Sequence, residues 1–282
     1  MRSPLCSVSS TFHCILSVLT PLYFVAPPLG YGYSEGALDT TMANFMTPKK
    51  IGSGLNTHNL IRQGWEGKFF DAEFENLDIG LYKRVLTRET IADIFREVNI
   101  PIDVDYVSID VDSIDAWLLM GLLEGGYRPR VISVEYNALW AKDQLITCRE
   151  EWEPWSHSSP VYGAGAGTIE YIGRKYGYKT VDIVPKLDMF MVKEDILQEK
   201  CPNYIALPTF DYLAESVTGW AVHQRCDRDE AMRRFVDLPL AMEGRHEEAK
   251  AKAAEALRDR NEYRRKYNQI EICREAGDGG AP

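Results

Sequence analysis

The chain has 282 residues, a formal net charge of −10 and the mixed apolar, charged and aromatic content of a globular protein, enough for one large domain or two small ones. That charge argues against broad phosphate-backbone binding, so no nucleic-acid partner is expected. The six cysteines (Cys6, Cys14, Cys148, Cys201, Cys226 and Cys273) are scattered, without a CxxC or a His pair at metal spacing, and read as mostly free thiols with no zinc site.

Residues 1–34 lack any acidic side chain and carry the apolar run "CILSVLTPLYFVA" followed by "PPLGYG". This composition predicts a targeting or disordered segment outside the fold. The run is short and contains Pro21, so membrane contact is expected only if the segment stays uncleaved. The compartment follows from the same segment: secretory pathway or organelle if it targets, cytoplasm otherwise.

From Asn56 the pattern becomes regular. "NTHNLIRQGW" offers Asn56 or Thr57 as N-cap, a short helix, and Gly64 as its left-handed stop. "GKFFDA" reads as a short buried strand ending at Asp71. "LYKRVLT" leads to a helix with Ile91, Ile94, Phe95 and Val98 at i, i+3, i+4 and i+7, stopped by Pro101. "DYVSIDVD" is the next strand, "AWLLMGLLEGG" a helix apolar on nearly all sides, and "RVISVEYN" a second buried strand, together a βαβ unit. A helix around "TIEYIGRKYG" precedes "KTVDIV" and "DMFMVK", two strands split by the turn-like "PKL" and read as an antiparallel hairpin.

Strands alternating with helices predict the α/β class, a doubly wound, mostly parallel sheet over residues 35–224. Residues 225–282 turn to densely alternating charge, as in "GRHEEAKAKAAEALRDRNEYRRKYNQ". This predicts a charged C-terminal helix, either a surface tail or a helix that contacts a protein partner.

Ligands of an open α/β sheet bind at the carboxyl ends of the strands, and Asp71, Asp110, Asp112, Glu135 and Asn137 all fall on that rim. If Asp110 and Asp112 stay extended they lie about 7 Å apart, and at an effective dielectric of about 20 they repel by about 2 kcal/mol. Two readings stand. Asp112 or Ser113 caps the helix beginning near Asp115, or Asp110, Asp112, Glu135 and Asn137 hold a hard cation such as Mg²⁺. The spacing does not fit an EF-hand, because Gly121 stands where the closing Glu belongs. Asp71 takes a ribose or sits in a surface turn. Gly52 and Gly54 in "IGSGLNTHNL" precede a helix, as close approach of a nucleotide requires, but "ANFMTPKK" is a poor strand to feed them. The second glycine run, "YGAGAGTIE", reads as a close-packed helix start rather than a dinucleotide turn. His58 beside the first glycine turn is the candidate general base, and His157 reads as a surface residue.

The strings "GWEGKFFDAEFEN", "DYVSIDVDSIDAWLL", "YRPRVISVEYN", "YGAGAGTIEYIGRKYGYKTVDIV" and "DMFMVKEDIL" together resemble the FkbM-like branch of S-adenosylmethionine-dependent methyltransferases over about residues 50 to 197. The resemblance implies a Rossmann-like seven-stranded sheet that ends in an antiparallel hairpin. It also implies S-adenosylmethionine as cofactor, with Gly52 and Gly54 in the glycine loop, Asp71 on the ribose and the loop at Asp110 flanking the cofactor. The chain departs from the family in having "TPKKIGSGLNT" where an apolar, acid-ended first strand is expected. Some small-molecule O-methyltransferases of that fold hold Mg²⁺ on an Asp and an Asp-Asn pair, and Asp110, Glu135 and Asn137 are similar in position. The expected activity is transfer of a methyl group to an oxygen of a small molecule or sugar, with Asp110 and His58 as catalytic residues. The alternative is a catalytically inactive relative that serves as a binding or scaffold module.

Overall fold

The computed structural model describes residues 24–26, 60, 65–151, 162–184, 187–202 and 233–266. The strands are β1 (Phe24–Ala26), β2 (Gly67–Asp71), β3 (Leu81–Lys83), β4 (Tyr106–Ile109), β5 (Val131–Glu135), β6 (Ile146–Cys148), β7 (Tyr178–Ile183), β8 (Asp188–Lys193) and β9 (Phe235–Asp237). The helices are α1 (Ile91–Glu97), α2 (Asp115–Glu124), α3 (Ala166–Lys175), α4 (Glu194–Lys200), α5 (Leu238–Met242) and α6 (His246–Lys266).

A seven-stranded sheet has the order β3-β2-β1-β4-β5-β8-β7. Its first five strands are parallel, and β8 runs antiparallel to both β5 and β7. The class is α/β, and the "KTVDIV"/"DMFMVK" hairpin forms as the sequence predicts. Continuous apolar runs such as "YVSI" and "VISVE" are buried at every position, as strands covered on both faces must be. Phe70, Val107, Ile109, Ile132, Val134, Met189 and Met191 point to one face and pack against α1, α2 and α3. Phe69, Tyr106, Val131 and Val192 point to the other, where Trp65 and Leu197 of α4 cover them.

Helix α2 is buried from Asp115 to Leu123, which its all-round apolar sequence requires. Gly121 admits the neighbouring turn: a Cβ there would sit 2.1 Å from the backbone oxygen of Arg88. A second, two-stranded ribbon pairs β6 with β9. Ala249, Ala253, Ala256, Leu257, Arg260 and Asn261, a stripe at helical spacing, bury one side of α6, and three of them pack on Trp140, Ile146 and Phe235 of this layer. Arg260 Nε donates to the Leu139 carbonyl at 2.7 Å, and Lys252 reaches the buried Asp237 at 2.7 Å. The described part of the charged C-terminal segment is therefore a helix whose small residues face its own chain. The long charged surface helix expected here forms over the described residues, with the difference that one side is buried, because alanines carry a buried stripe as well as large apolar residues do when the partner layer comes close.

One boundary also differs from expectation. Residues 24–26, within the segment 1–34 set outside the fold, form the central strand between β2 and β4. An aromatic and β-branched run reads equally well as a targeting core or as a buried strand, and here it pairs on both edges. The sheet thus begins before residue 35. The weak strand sought near residues 40–52 lies outside the described residues, as does most of the short helix at 56–64. Among the described residues no helix is long and apolar enough to cross a membrane.

Val25→Pro removes a backbone donor from this central strand, and should destabilise the full chain by about 3 kcal/mol or more. Urea unfolding followed by circular dichroism measures this, and an unchanged midpoint would refute the central pairing.

Candidate functional site

The strand order reverses between β1 and β4, since β2 and β3 extend to one side of β1 and the chain then crosses to the other. Crevices for ligands form at the carboxyl ends of strands at such a reversal. The rim there is acidic. Asp71 ends β2, Asp110 follows the last residue of β4, Glu135 ends β5, and the antiparallel β8 contributes its first residue, Asp188. Ile109 pairs with Val134 and Glu135 with Asp188, so Asp110, Glu135 and Asp188 stand side by side on neighbouring strands and on one face.

The turn after β4 brings in two more acids. Asp112 adopts a left-handed conformation (φ 56°), which Asp tolerates better than most residues, and this turns the chain back toward the rim. The fully buried Asp115 holds that turn: its carboxylate accepts the Val111 N–H at 2.8 Å and the Ser113 N–H at 3.1 Å. Neither Asp112 nor Ser113 occupies the N-cap position of α2. Its N-cap is Ile114, without a side-chain cap, and the Ser113 hydroxyl donates to the Val111 carbonyl instead. The extended Asp110–Asp112 geometry is likewise corrected, because the strand stops at Ile109 and the loop folds over.

As a result one carboxylate oxygen each from Asp110, Asp112 and Glu135 come within 4.8 Å of one another. Asn137 does not join them. Its side-chain Oδ1 accepts from Leu139 N–H at 2.9 Å and its Nδ2 donates to the Tyr162 carbonyl at 2.9 Å, tying the end of β5 to the second glycine run. That run opens α3 and packs tightly against the segment after β5: a Cβ on Gly167 would lie 1.8 Å from the Lys142 backbone oxygen, and one on Gly165 2.9 Å from Trp140 Cβ. This is the close packing expected of it.

Burial, then the neighbouring acids Asp115, Asp112 and Asp188, raise the carboxyl of Asp110 well above its ordinary range. Burial followed by Asp110, Asp115, Asp112 and Asp188 does the same to Glu135. Asp188 is pushed up to about 6, first by burial and then by Asp115. Asp115 is also pushed up to about 6 by burial, against the pull of its backbone hydrogen bonds. On the face below the acids, the Tyr106 hydroxyl lies 2.6 Å from Ser133 Oγ, which donates to Ser108 Oγ at 3.0 Å. This buried polar chain runs from the core toward the rim.

Asp71 lies two strands from Asp110, about 10 Å away. Its Oδ1 accepts from Glu73 N–H at 2.6 Å and Phe74 N–H at 2.8 Å, the turn role among the two readings of it. Gly52, Gly54, His58 and His157 lie outside the described residues. The sequence reading missed Asp188, although its signal was present: the first residue of the second strand of a hairpin returns to the rim its partner strand ends on. No protein-family model and no curated protein matches the chain.

An acid whose folded pKa is raised binds more protons in the native than in the unfolded state between the two values, so stability falls as pH rises through that window and levels off above it. For Asp188 the window runs from about 4, the unfolded value, to about 6. Urea unfolding with chelator present should show Asp188→Asn gaining on the wild type by up to about 3 kcal/mol between pH 4 and pH 6. A difference that stays constant with pH would contradict it.

Proposed function

We propose that the chain is an S-adenosylmethionine-dependent methyltransferase of the Rossmann-like, doubly wound class, acting on an oxygen of a small molecule or sugar. The observation that supports the reading is the seven-stranded sheet with its antiparallel β8, its order reversing at β1 and β4 where Asp71 and Asp110 end the flanking strands. A sheet of this order is in keeping with the resemblance. It also supplies, in β1, an apolar first strand at the expected place between β2 and β4, which "ANFMTPKK" does not offer.

The residues fit the cofactor. The carboxylate of Asp71, at the end of β2, suits a ribose hydroxyl, and the acidic rim at Asp110 attracts a sulfonium cation. Bound S-adenosylmethionine would supply an electrophilic methyl group. The chain's own part is to hold the acceptor hydroxyl in line with it, which accounts for much of the rate in such a transfer, and to receive the hydroxyl proton. Asp110, whose affinity for protons burial has raised, suits that second task. The alternative of an inactive scaffold with the C-terminal helix as its contact gains no specific support, because the small-residue stripe of α6 is used within the chain.

The full chain is the right sample for calorimetry, since a segment from residue 35 would lack β1. Titration with S-adenosylmethionine should give one site. Asp71→Ala, losing charge-assisted hydrogen bonds to the ribose, should weaken it by between about tenfold and a hundredfold. No heat from folded wild-type protein at millimolar cofactor would refute the reading.

A further inference from the structure

We propose that Asp110, Asp112 and Glu135 bind one hard divalent cation, calcium-sized as the side chains stand, with Asp188 as the acid behind it. The proposal goes beyond methyl transfer and does not rest on it. Among the described residues the donor set consists of carboxylates alone, and hard oxygen donors of this kind suit calcium, magnesium or manganese better than zinc or copper. The donor oxygens lie within 4.8 Å of one another. Ligands at about 2.3–2.6 Å from a calcium ion span up to about 5 Å across it, whereas magnesium at about 2.0–2.1 Å spans only about 4.2 Å. The 4.8 Å limit is within calcium's span, whereas magnesium needs oxygens no more than about 4.2 Å apart.

The buried oxygens independently call for a ligand. Glu135 Oε2 is buried without a hydrogen-bond partner, and so is Oδ1 of Asp188, a residue only 3 % exposed. Asp188 faces Glu135 in register and its charge acts on both Glu135 and Asp110, so its orphan oxygen lies beside the cluster without being one of its three ligands. Buried acceptors of this kind are normally matched by donors. Among the described residues the charges acting on Asp110, those of Asp115, Asp112 and Asp188, are all acidic. A bare cation meets several carboxylate oxygens at once, which a single shared proton does not do. Asp112 is half-buried, which leaves a side open for the water that completes the coordination shell.

The test uses the full chain stripped with chelator, then titrated with calcium or magnesium chloride against sodium chloride of equal ionic strength. Thermal unfolding and calorimetry are both read. One calcium per chain is expected, with a midpoint that rises steadily for each tenfold excess over the dissociation constant, and weaker binding of magnesium. Asp110→Asn and Glu135→Gln should each unfold at a higher temperature than the wild type without cation, because repulsion is relieved, and should bind calcium at least about tenfold more weakly. Their higher midpoint separates loss of the site from loss of the fold. Glu97→Gln, an exposed acid paired with Arg84 on the surface, should respond as the wild type does. A wild-type shift no larger than that in sodium chloride, or an undiminished calcium response in both cluster variants, overturns the proposal.

Discussion

Like charges held together at the edge of an apolar sheet are the constraint around which this molecule is arranged. Asp110, Glu135 and Asp188 are buried side by side, and their mutual repulsion opposes folding unless something compensates. The surroundings keep them in place all the same. Beneath them lie the close-packed strands β4, β5 and β8, and on the far face of the sheet α2 is buried along its length. Asp115 fixes the turn that carries Asp112, and Asn137 anchors the end of β5. A group of acids that served only as surface solvation would need none of this support.

The parts of the fold written in long apolar runs were legible in the sequence. β4, α2, β5, α3 and the β7–β8 hairpin each have a period or a burial pattern that admits one reading. The parts that escaped are short or ambiguous. β3, β6 and β9 are three residues each, too few to carry an alternating pattern, and the β6–β9 pairing joins segments far apart in sequence. β1 escaped for a different reason. "YFVA" has the composition of a targeting core and of a buried strand alike, and only its two neighbours in the sheet distinguish them.

The same split holds for the site. That Asp71, Asp110 and Glu135 share one rim follows from strand direction, which the sequence order conveys. That Asp110 and Asp112 converge depends on a left-handed residue and on a carboxylate clamp from Asp115, neither of which periodicity reveals. Asn137 has the chemistry of a ligand and was grouped with the acids on position, yet its amide is engaged in holding two loops together. Position along a strand can identify a rim residue, but the direction of a side chain beyond the strand end is decided by turns.

The three residues of β1 set a timetable for the chain as it is made. They are synthesised well before either partner, since Phe24 pairs with Gly67 on one edge and with Tyr106 on the other. At typical rates of translation, about 5–20 residues per second, the strand waits several seconds for β4. During that time an apolar segment is exposed with its backbone groups unpaired, a state that chaperones recognise and that favours association with other chains. The long sequence separation of these pairings slows closure further, because loop entropy is lost before contacts repay it. The middle of the sheet thus cannot pair on both edges until β4 has been made, although it contains the earliest of the described strands.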